Sequence, residues 1–247
     1  MTVAGILLAV VAGYLVGSIS FAALIARILG RGTPLSQIHL PVPGTEQALS
    51  SNAVSATAVR LQYGARYGCL TSLLDMAKAA AITLVFKQLS PEQPLFLIAS
   101  GMTVVGHVWP FYLRFRGGRG QSPIIGSLFV IDWPAALIVF PAAQVLGVLT
   151  RTRPYTGRFG PELLLAAWFW YRFASVPHVL FAFGLLIVRL IAMRRELRQF
   201  HQLRKQGHLR SLADEFAFLD GSARLHRWIG HITHRRSSEQ DSDPGRD

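Results

Sequence analysis

The chain has 247 residues, of which 51% are hydrophobic and 15% charged, and its mean hydropathy is +0.36. Soluble domains carry about 25% charged residues, so the composition argues against a water-soluble globule. The first 193 residues hold 5 of the 13 acidic residues, which separates an apolar body from a polar tail. We therefore predict an all-α integral membrane protein: a membrane domain over residues 1–193, a cytoplasmic amphipathic helical tail over 194–236 and a disordered end over 237–247.

The formal net charge of +12 raises the question of nucleic acid as a partner. Basic residues in a nucleic-acid binder gather on one face of a soluble fold, whereas here they separate apolar runs. We therefore expect contact with membrane lipids and anionic phosphate, and no nucleic acid. The single cysteine, Cys69, excludes an intrachain disulfide and a cysteine-built zinc site, and the scattered carboxylates indicate no metal.

The first apolar run covers residues 5–26 and ends at Ala26. It contains no charged residue and is long enough for one membrane-spanning helix. Gly17 and Ser18 within it are typical of close helix packing. After a polar stretch over residues 27–67, apolar character returns over 68–85. Asp75 and Lys78 interrupt this second run, and because they are three residues apart on one helix face, we expect them to pair inside the bundle.

The later apolar runs allow two interpretations. Residues 93–113 are uncharged, and residues 120–150 are interrupted by Asp132-Trp133-Pro134. A single crossing over 120–150 would put the arginines of 151–158 on the opposite side from those of 114–119, against the excess of basic residues in cytoplasmic loops. Two short, hairpinned crossings keep them together. The same interpretation applies to residues 161–172 and 176–192, which become two further short crossings. It predicts about seven transmembrane helices in total, with the N-terminus outside and the C-terminus cytoplasmic.

The densest chemical signal lies in residues 106–120, where His107 precedes a turn rich in glycine and arginine. Glycines around Arg119 allow backbone N–H groups to bend toward an anion, and arginines grip phosphate with a forked geometry. The alternative is a helix-ending turn whose arginines serve only membrane topology. We favour phosphate binding. A lone histidine such as His107 is more often a hydrogen-bonded structural residue than a base.

The order of these features resembles the bacterial membrane acyltransferases that move an acyl group from acyl-phosphate to glycerol 3-phosphate. The most specific match is Gly-His-x-x-Pro-x-x-Leu-x-Phe-x-Gly-Gly-x-Gly at residues 106–120, with weaker matches at 17–22, 51–68 and 73–78. The resemblance implies a cofactor-free transfer at the cytoplasmic face of a bacterial inner membrane. It implies catalytic roles for Ser51, His107 and Arg119, and phosphate binding by Arg60, Arg116, Gly117, Gly118, Gly120, Arg153 and Arg194.

Several residues depart from the pattern of that family. Ala53 and Ala58 stand where it has asparagines, and Arg119 stands where it has lysine. Arg194-Arg195-Glu196-Leu197 occupies the place of His-Arg-Glu-Asn. Two functions stay open: synthesis of lysophosphatidic acid from acyl-phosphate and glycerol 3-phosphate, or a related phosphorylated acceptor, in phospholipid biosynthesis; and a catalytically degenerate scaffold that binds lipid or phosphate and, through its tail, a partner protein.

Overall fold

The fold was analysed in a computed structural model that describes residues 2–30, 35, 38–41, 48–51, 53–150 and 153–205. Nine α-helices lie within these ranges and make up most of the described chain. They are α1 (Val3–Ser18), α2 (Phe21–Leu29), α3 (Ala56–Tyr63), α4 (Ala65–Leu89), α5 (Leu95–Val108), α6 (Gln121–Ile131), α7 (Trp133–Leu149), α8 (Arg153–Phe173) and α9 (Val176–Lys205).

A short hairpin departs from the predicted all-α fold. Strands β1 (Ile38–Pro41) and β2 (Ala48–Ser51) pair antiparallel, with Ile38 opposite Ser51. Both strands lie in the polar stretch between the first two apolar runs. Four residues are too few to give a recognisable alternation of apolar and polar side chains, so the sequence did not indicate them.

Four described helical stretches are long and apolar enough to cross a membrane: Val3–Leu29, Ala65–Leu89, Leu95–Leu113 and Val176–Gln199. Helices α6 and α7 are shorter and apolar, and they meet at Asp132, where the sequence predicted a break. Helices α8 and α9 are likewise separate. The protein is therefore a multi-pass membrane protein, while the count of seven crossings and their direction stay predictions.

The first span is not the continuous helix that the sequence predicted. Helix α1 ends at Ser18, and α2 begins at Phe21 after Ser20, whose side chain accepts a hydrogen bond from the N–H of Ala23 at 3.3 Å. A helix break leaves carbonyl groups without helical partners, which is costly away from water. The break therefore requires hydrogen-bond donors from other helices.

Helices α1 and α5 pack with their backbones in direct contact. An added Cβ at Gly17 would collide with the carbonyl group of Thr103, and one at Gly106 would collide with the carbonyl oxygen of Tyr14. Small residues allow this close approach between helices in a membrane. The interpretation of Gly17 as a packing residue is confirmed.

The core lies among the later helices. Buried apolar side chains from α4 to α9 form one cluster, together with Ala9 of α1. Its fully buried members include Val104, Leu128, Leu165 and Phe169. These four side chains come from α5, α6 and α8, so the core joins the helices on both sides of the glycine-rich turn.

The predicted boundary between membrane domain and tail falls inside a helix. Helix α9 continues unbroken from Val176 through Arg194 to Lys205. The rest of the predicted tail and the predicted disordered end, residues 206–247, lie outside the described residues.

The glycine contact between α1 and α5 can be tested with a single methyl group. We expect Gly17→Ala to destabilise the protein by about 1–3 kcal/mol, because the two backbones must separate to admit the Cβ. Thermal unfolding of the purified protein in detergent measures the change.

Gly184→Ala on α9 is the matched control, because an added Cβ there meets no heavy atom within 4 Å. Alanine is the better helix former, so this variant should be neutral or slightly stabilising. Equal unfolding midpoints for the two variants would contradict the close packing of α1 on α5.

Candidate active site

A buried lysine on α4 supplies donors to the break in the first span. Lys78 Nζ donates to the carbonyl oxygens of Gly17 at 3.1 Å and of Ile19 at 2.6 Å, and it lies 2.7 Å from Asp75 Oδ1. An ammonium group has three N–H donors, so one remains beyond the two carbonyl bonds, and Asp75 and Nδ1 of His107 both lie near it. The predicted Asp75–Lys78 pair is confirmed, and the lysine also satisfies the broken helix.

His107, near the end of α5, joins the same group. Its Nδ1 lies 3.4 Å from Asp75 Oδ1 and 3.2 Å from Lys78 Nζ. Nδ1 therefore faces both the ammonium group of Lys78 and the carboxylate of Asp75. The other ring nitrogen, Nε2, lies against Gly118, where an added Cβ would collide with it. We call Asp75, Lys78 and His107 the buried polar node; their side chains are 2%, 4% and 10% exposed.

The glycine-rich turn folds back onto α5. The N–H of Gly117 donates to the carbonyl of Val108 at 3.1 Å, and the N–H of Gly118 donates to the carbonyl of His107 at 3.0 Å. The expectation that these two N–H groups bend toward an anion is therefore wrong: they are already bonded within the protein. What the glycines provide is the absence of a side chain, which lets the turn lie directly on His107.

Two tyrosines tie the turn to the first span. The Tyr112 hydroxyl donates to the carbonyl of Ser18 and accepts from the N–H of Ser20 at 2.6 Å. The Tyr14 hydroxyl donates to the carbonyl of Trp109 at 2.9 Å. The helix break, the buried polar node and the turn are thus held together by one connected set of polar contacts.

A second charged cluster begins where the turn enters α6. Arg119 forms a two-pronged ion pair with Glu196 of α9, in which its Nη1 donates to Oε2 at 2.5 Å. Arg158 of α8 reaches the same carboxylate oxygen with its Nη1 at 3.5 Å. The three side chains are between 20% and 23% exposed, so the Arg119–Glu196–Arg158 cluster is accessible from outside the protein.

The charged groups of this cluster lie close to one another, and their proximity affects the pKa of Arg119. Burial lowers the pKa of the Arg119 guanidinium, while the adjacent Glu196 carboxylate favours its charged form. Arginine nevertheless stays charged at neutral pH, so both guanidinium groups are attracted to the Glu196 carboxylate. Arg194 and Arg195 are exposed on the same turn of α9 as Glu196. The first turn of α6 holds no acidic residue, and its positive end lies beside Arg119.

The other predicted site residues lie on several elements. Arg116 is exposed on the turn, and Arg60 is exposed on α3. Ser51 is the last residue of β2, Arg153 is the first of α8, and Arg194 is exposed on α9. Of the predicted residues, the structure joins Arg119 to α9 and places His107 beneath the turn.

Two residues of the charged cluster were not among the predicted site residues. Glu196 lies in the segment that matches His-Arg-Glu-Asn of the resembling family, and that match was a signal for it. Arg158 lies in an arginine-rich stretch whose charges also fit membrane topology. Its contact with Glu196 depends on how α8 packs against α9, which residue spacing does not reveal.

These helices and clusters define a multi-pass membrane protein with a charged cluster beside a glycine-rich turn. The sequence profile of the glycerol-3-phosphate acyltransferases matches residues 7–203. Curated proteins of that name are 30% identical over 182 residues in Pseudomonas syringae pv. syringae and 32% identical over 185 residues in Pseudomonas fluorescens Pf-5. Each match covers 74% of this chain, and the two cover 86% and 88% of the relatives. The chain belongs to the glycerol-3-phosphate acyltransferase family.

Two solved structures share the fold. Both are crystal structures of PlsY (YgiH), an integral membrane glycerol 3-phosphate acyltransferase, in a glycerol 3-phosphate form and a lysophosphatidic acid form. Their TM-scores are 0.66 and 0.63, with 21% and 22% sequence identity. Each match covers 81% of this chain and 93% of the solved chain.

Removing the lysine of the buried polar node should be severe. Lys78→Met leaves the Asp75 carboxylate and two carbonyl groups without their cation, and we expect a loss of about 3–5 kcal/mol in unfolding free energy. Adding Asp75→Asn to Lys78→Met should recover part of that loss, because the uncompensated charge is gone. Thermal unfolding in detergent measures both.

Lys87→Met is a matched control on the same helix. Lys87 Nζ donates to one carbonyl, that of Val130, at 2.6 Å, so its loss should cost about 1 kcal/mol. The account would be contradicted if Lys78→Met and Lys87→Met lowered the unfolding free energy equally and the double variant showed no recovery. The buried polar node would then stabilise the protein no more than the single hydrogen bond of Lys87.

Proposed function

We propose that this protein transfers an acyl group from an acyl-phosphate to glycerol 3-phosphate, giving lysophosphatidic acid, at the cytoplasmic surface of the inner membrane. The observation that carries the proposal is the accessible Arg119–Glu196–Arg158 cluster beside the glycine-rich turn, in a chain of this family. The two PlsY structures are a glycerol 3-phosphate form and a lysophosphatidic acid form, which supports the kinds of acceptor and product.

The reaction needs little covalent chemistry from the protein. A hydroxyl oxygen of glycerol 3-phosphate attacks the carbonyl carbon of the acyl-phosphate, and a new ester bond forms. The bond from that carbon to the phosphate oxygen breaks, the electron pair leaves with phosphate, and the hydroxyl proton is passed to phosphate. No cofactor is consumed, because the acyl group arrives activated. Catalysis then consists of holding two anionic substrates together and stabilising the charge that develops.

The residues divide into those that contact substrate and those that position them. Arg119 attracts a substrate phosphate with its positive charge, and Ser51 contributes a hydroxyl. Further positive charge comes from Arg60, Arg116, Arg153 and Arg194, while Gly117, Gly118 and Gly120 shape the turn that carries Arg119. His107 is a positioning residue, because its Nδ1 faces Asp75 and its Nε2 lies against Gly118.

The orientation follows from where the charged and aromatic side chains lie. Arg114 and Arg116 are exposed at the end of α5, beside the exposed side chains of Phe111, Tyr112 and Phe115. Exposed aromatic residues next to arginine are typical of a membrane interface on the cytoplasmic side. This supports a site that faces the cytoplasm, where a charged acceptor is dissolved.

Substitution of Arg119 tests the site. Arg119→Ala should lower kcat/KM by about 100-fold or more, because a charge that stabilises the transferring group is lost. Arg119→Lys should retain a measurable part, since a point charge still offsets phosphate. The assay is phosphate release and lysophosphatidic acid formation by purified protein given acyl-phosphate and glycerol 3-phosphate.

Arg114→Asn is the control, because Arg114 is exposed in the left-handed conformation, with φ 52°, that asparagine tolerates. Its loss should be milder than that of Arg119→Ala. Equal small losses in all three variants would mean that these arginines serve topology alone. Phosphate binding by the unaltered protein without transfer to glycerol 3-phosphate would contradict the proposed activity and favour the degenerate scaffold.

A further inference from the structure

We propose that Gln144 of α7 and the buried Glu162–Arg189 pair are positioning residues for acyl transfer, because they fix the register of α8 against its two neighbouring helices. The inference rests on the proposed function and deepens it. Through that register, these residues set where α8 presents its part of the Arg119–Glu196–Arg158 cluster to α9.

The buried pair joins the two helices that contribute to the charged cluster. Glu162 Oε1 and Arg189 Nη1 lie 2.8 Å apart, and the two side chains are 0% and 2% exposed. Glu162 follows Arg158 by four residues on α8, and Arg189 precedes Glu196 by seven residues on α9. Helices α8 and α9 therefore share a charged contact at each of two levels, which fixes how far one helix lies along the other.

The chemistry of the pair suits it to fixing position more than to adding stability. Glu162 Oε2 and Arg189 Nε have no hydrogen-bond partner in the part of the chain that the structure describes. Removing two charges from water is unfavourable, and a buried pair with incomplete hydrogen bonds recovers little of the lost solvation energy. A shift of one helix would still be penalised strongly, because it would leave both charges buried and apart.

A proline beside the pair makes the position of α8 depend on α7 as well. Pro161 lies inside α8 and has no N–H, so the carbonyl of Gly157 lacks its usual helical donor. Gln144 Nε2 donates to that carbonyl at 2.5 Å. The next residue is Arg158, so this bond holds the backbone beside the arginine that reaches Glu196.

Arg189 is also close enough to the cluster to act through its charge. Burial lowers the pKa of the Arg119 guanidinium, the Glu196 carboxylate opposes this, and the positive charge of Arg189 lowers the pKa further. Glu162 carries the opposite charge beside Arg189. Replacing both members of the pair therefore leaves the net charge unchanged, so its effect on activity reports position.

The double variant Glu162→Leu/Arg189→Met separates positioning from stability. We expect an unfolding midpoint in detergent equal to or above that of the unaltered protein, because apolar side chains suit the buried site. We expect kcat/KM for acyl transfer to fall by about 10-fold to 100-fold, because small displacements of a site lower the rate strongly. Gln144→Leu should also lower kcat/KM, and adding Pro161→Ala should recover part, because alanine supplies the missing N–H.

Arg172→Gln is the control on the same helix. Arg172 lies roughly 15 Å along α8 from Glu162 at the helical rise, and it faces Asp132 at 3.6 Å. It should leave kcat/KM unchanged. An unchanged kcat/KM in the double variant would overturn the inference. A fall accompanied by a lower unfolding midpoint would also overturn it, because the pair would then only hold the fold together.

A distance measurement separates this inference from the proposed activity. Spin labels at Leu163→Cys and Leu190→Cys, exposed positions directly after Glu162 and Arg189, report the register of α8 and α9 in a Cys69→Ser background without acyl transfer. We expect a broader or displaced distance distribution when the pair is replaced. An unchanged distribution would overturn the inference, whereas an unaltered protein without turnover would contradict the proposed function alone.

Discussion

The ammonium group of Lys78 and the carbonyl oxygens at the break in the first span form the interaction on which the described structure most depends. A helix interrupted inside a membrane protein exposes backbone oxygens that lipid cannot satisfy. Lys78 reaches Gly17 and Ile19 from α4 and is itself balanced by Asp75. The break is therefore stabilised by a buried cation with its counter-ion beside it, together with the Tyr112 hydroxyl.

The same lysine links the break to the end of α5, since His107 lies against the Asp75–Lys78 pair and beneath Gly118. The turn then leads directly into Arg119 and α6. The turn thus connects the buried polar node with the Arg119–Glu196–Arg158 cluster, and these two clusters have different properties. The buried polar node is nearly excluded from solvent and contacts the backbone, whereas the side chains of the Arg119–Glu196–Arg158 cluster are about one-fifth exposed. The two clusters lie on either side of the turn and differ in burial.

The sequence predicted those features of the fold that depend on the spacing of residues near one another in the chain. The three-residue interval of Asp75 and Lys78 predicted their pairing, and Asp132 marked the division between α6 and α7. The break after Ser18 was not predicted because its donors come from α4 and from the turn after α5, and no charge or proline marks it. The contact of Arg158 with Glu196 likewise depends on helix packing. The sequence correctly indicated that the glycines of the turn matter. Their role in the structure is to let the backbone lie against His107, and not to offer free N–H groups to an anion.

Hydrogen exchange measured by mass spectrometry on the purified protein and its Lys78→Met variant tests most directly whether one node holds both the break and the turn. We expect faster amide exchange in the variant at two places together, residues 14–20 and residues 107–120, because both lose the same support. Exchange in the middle of α8, away from the node, should be unchanged. Faster exchange confined to residues 14–20, with the turn as protected as before, would contradict this account.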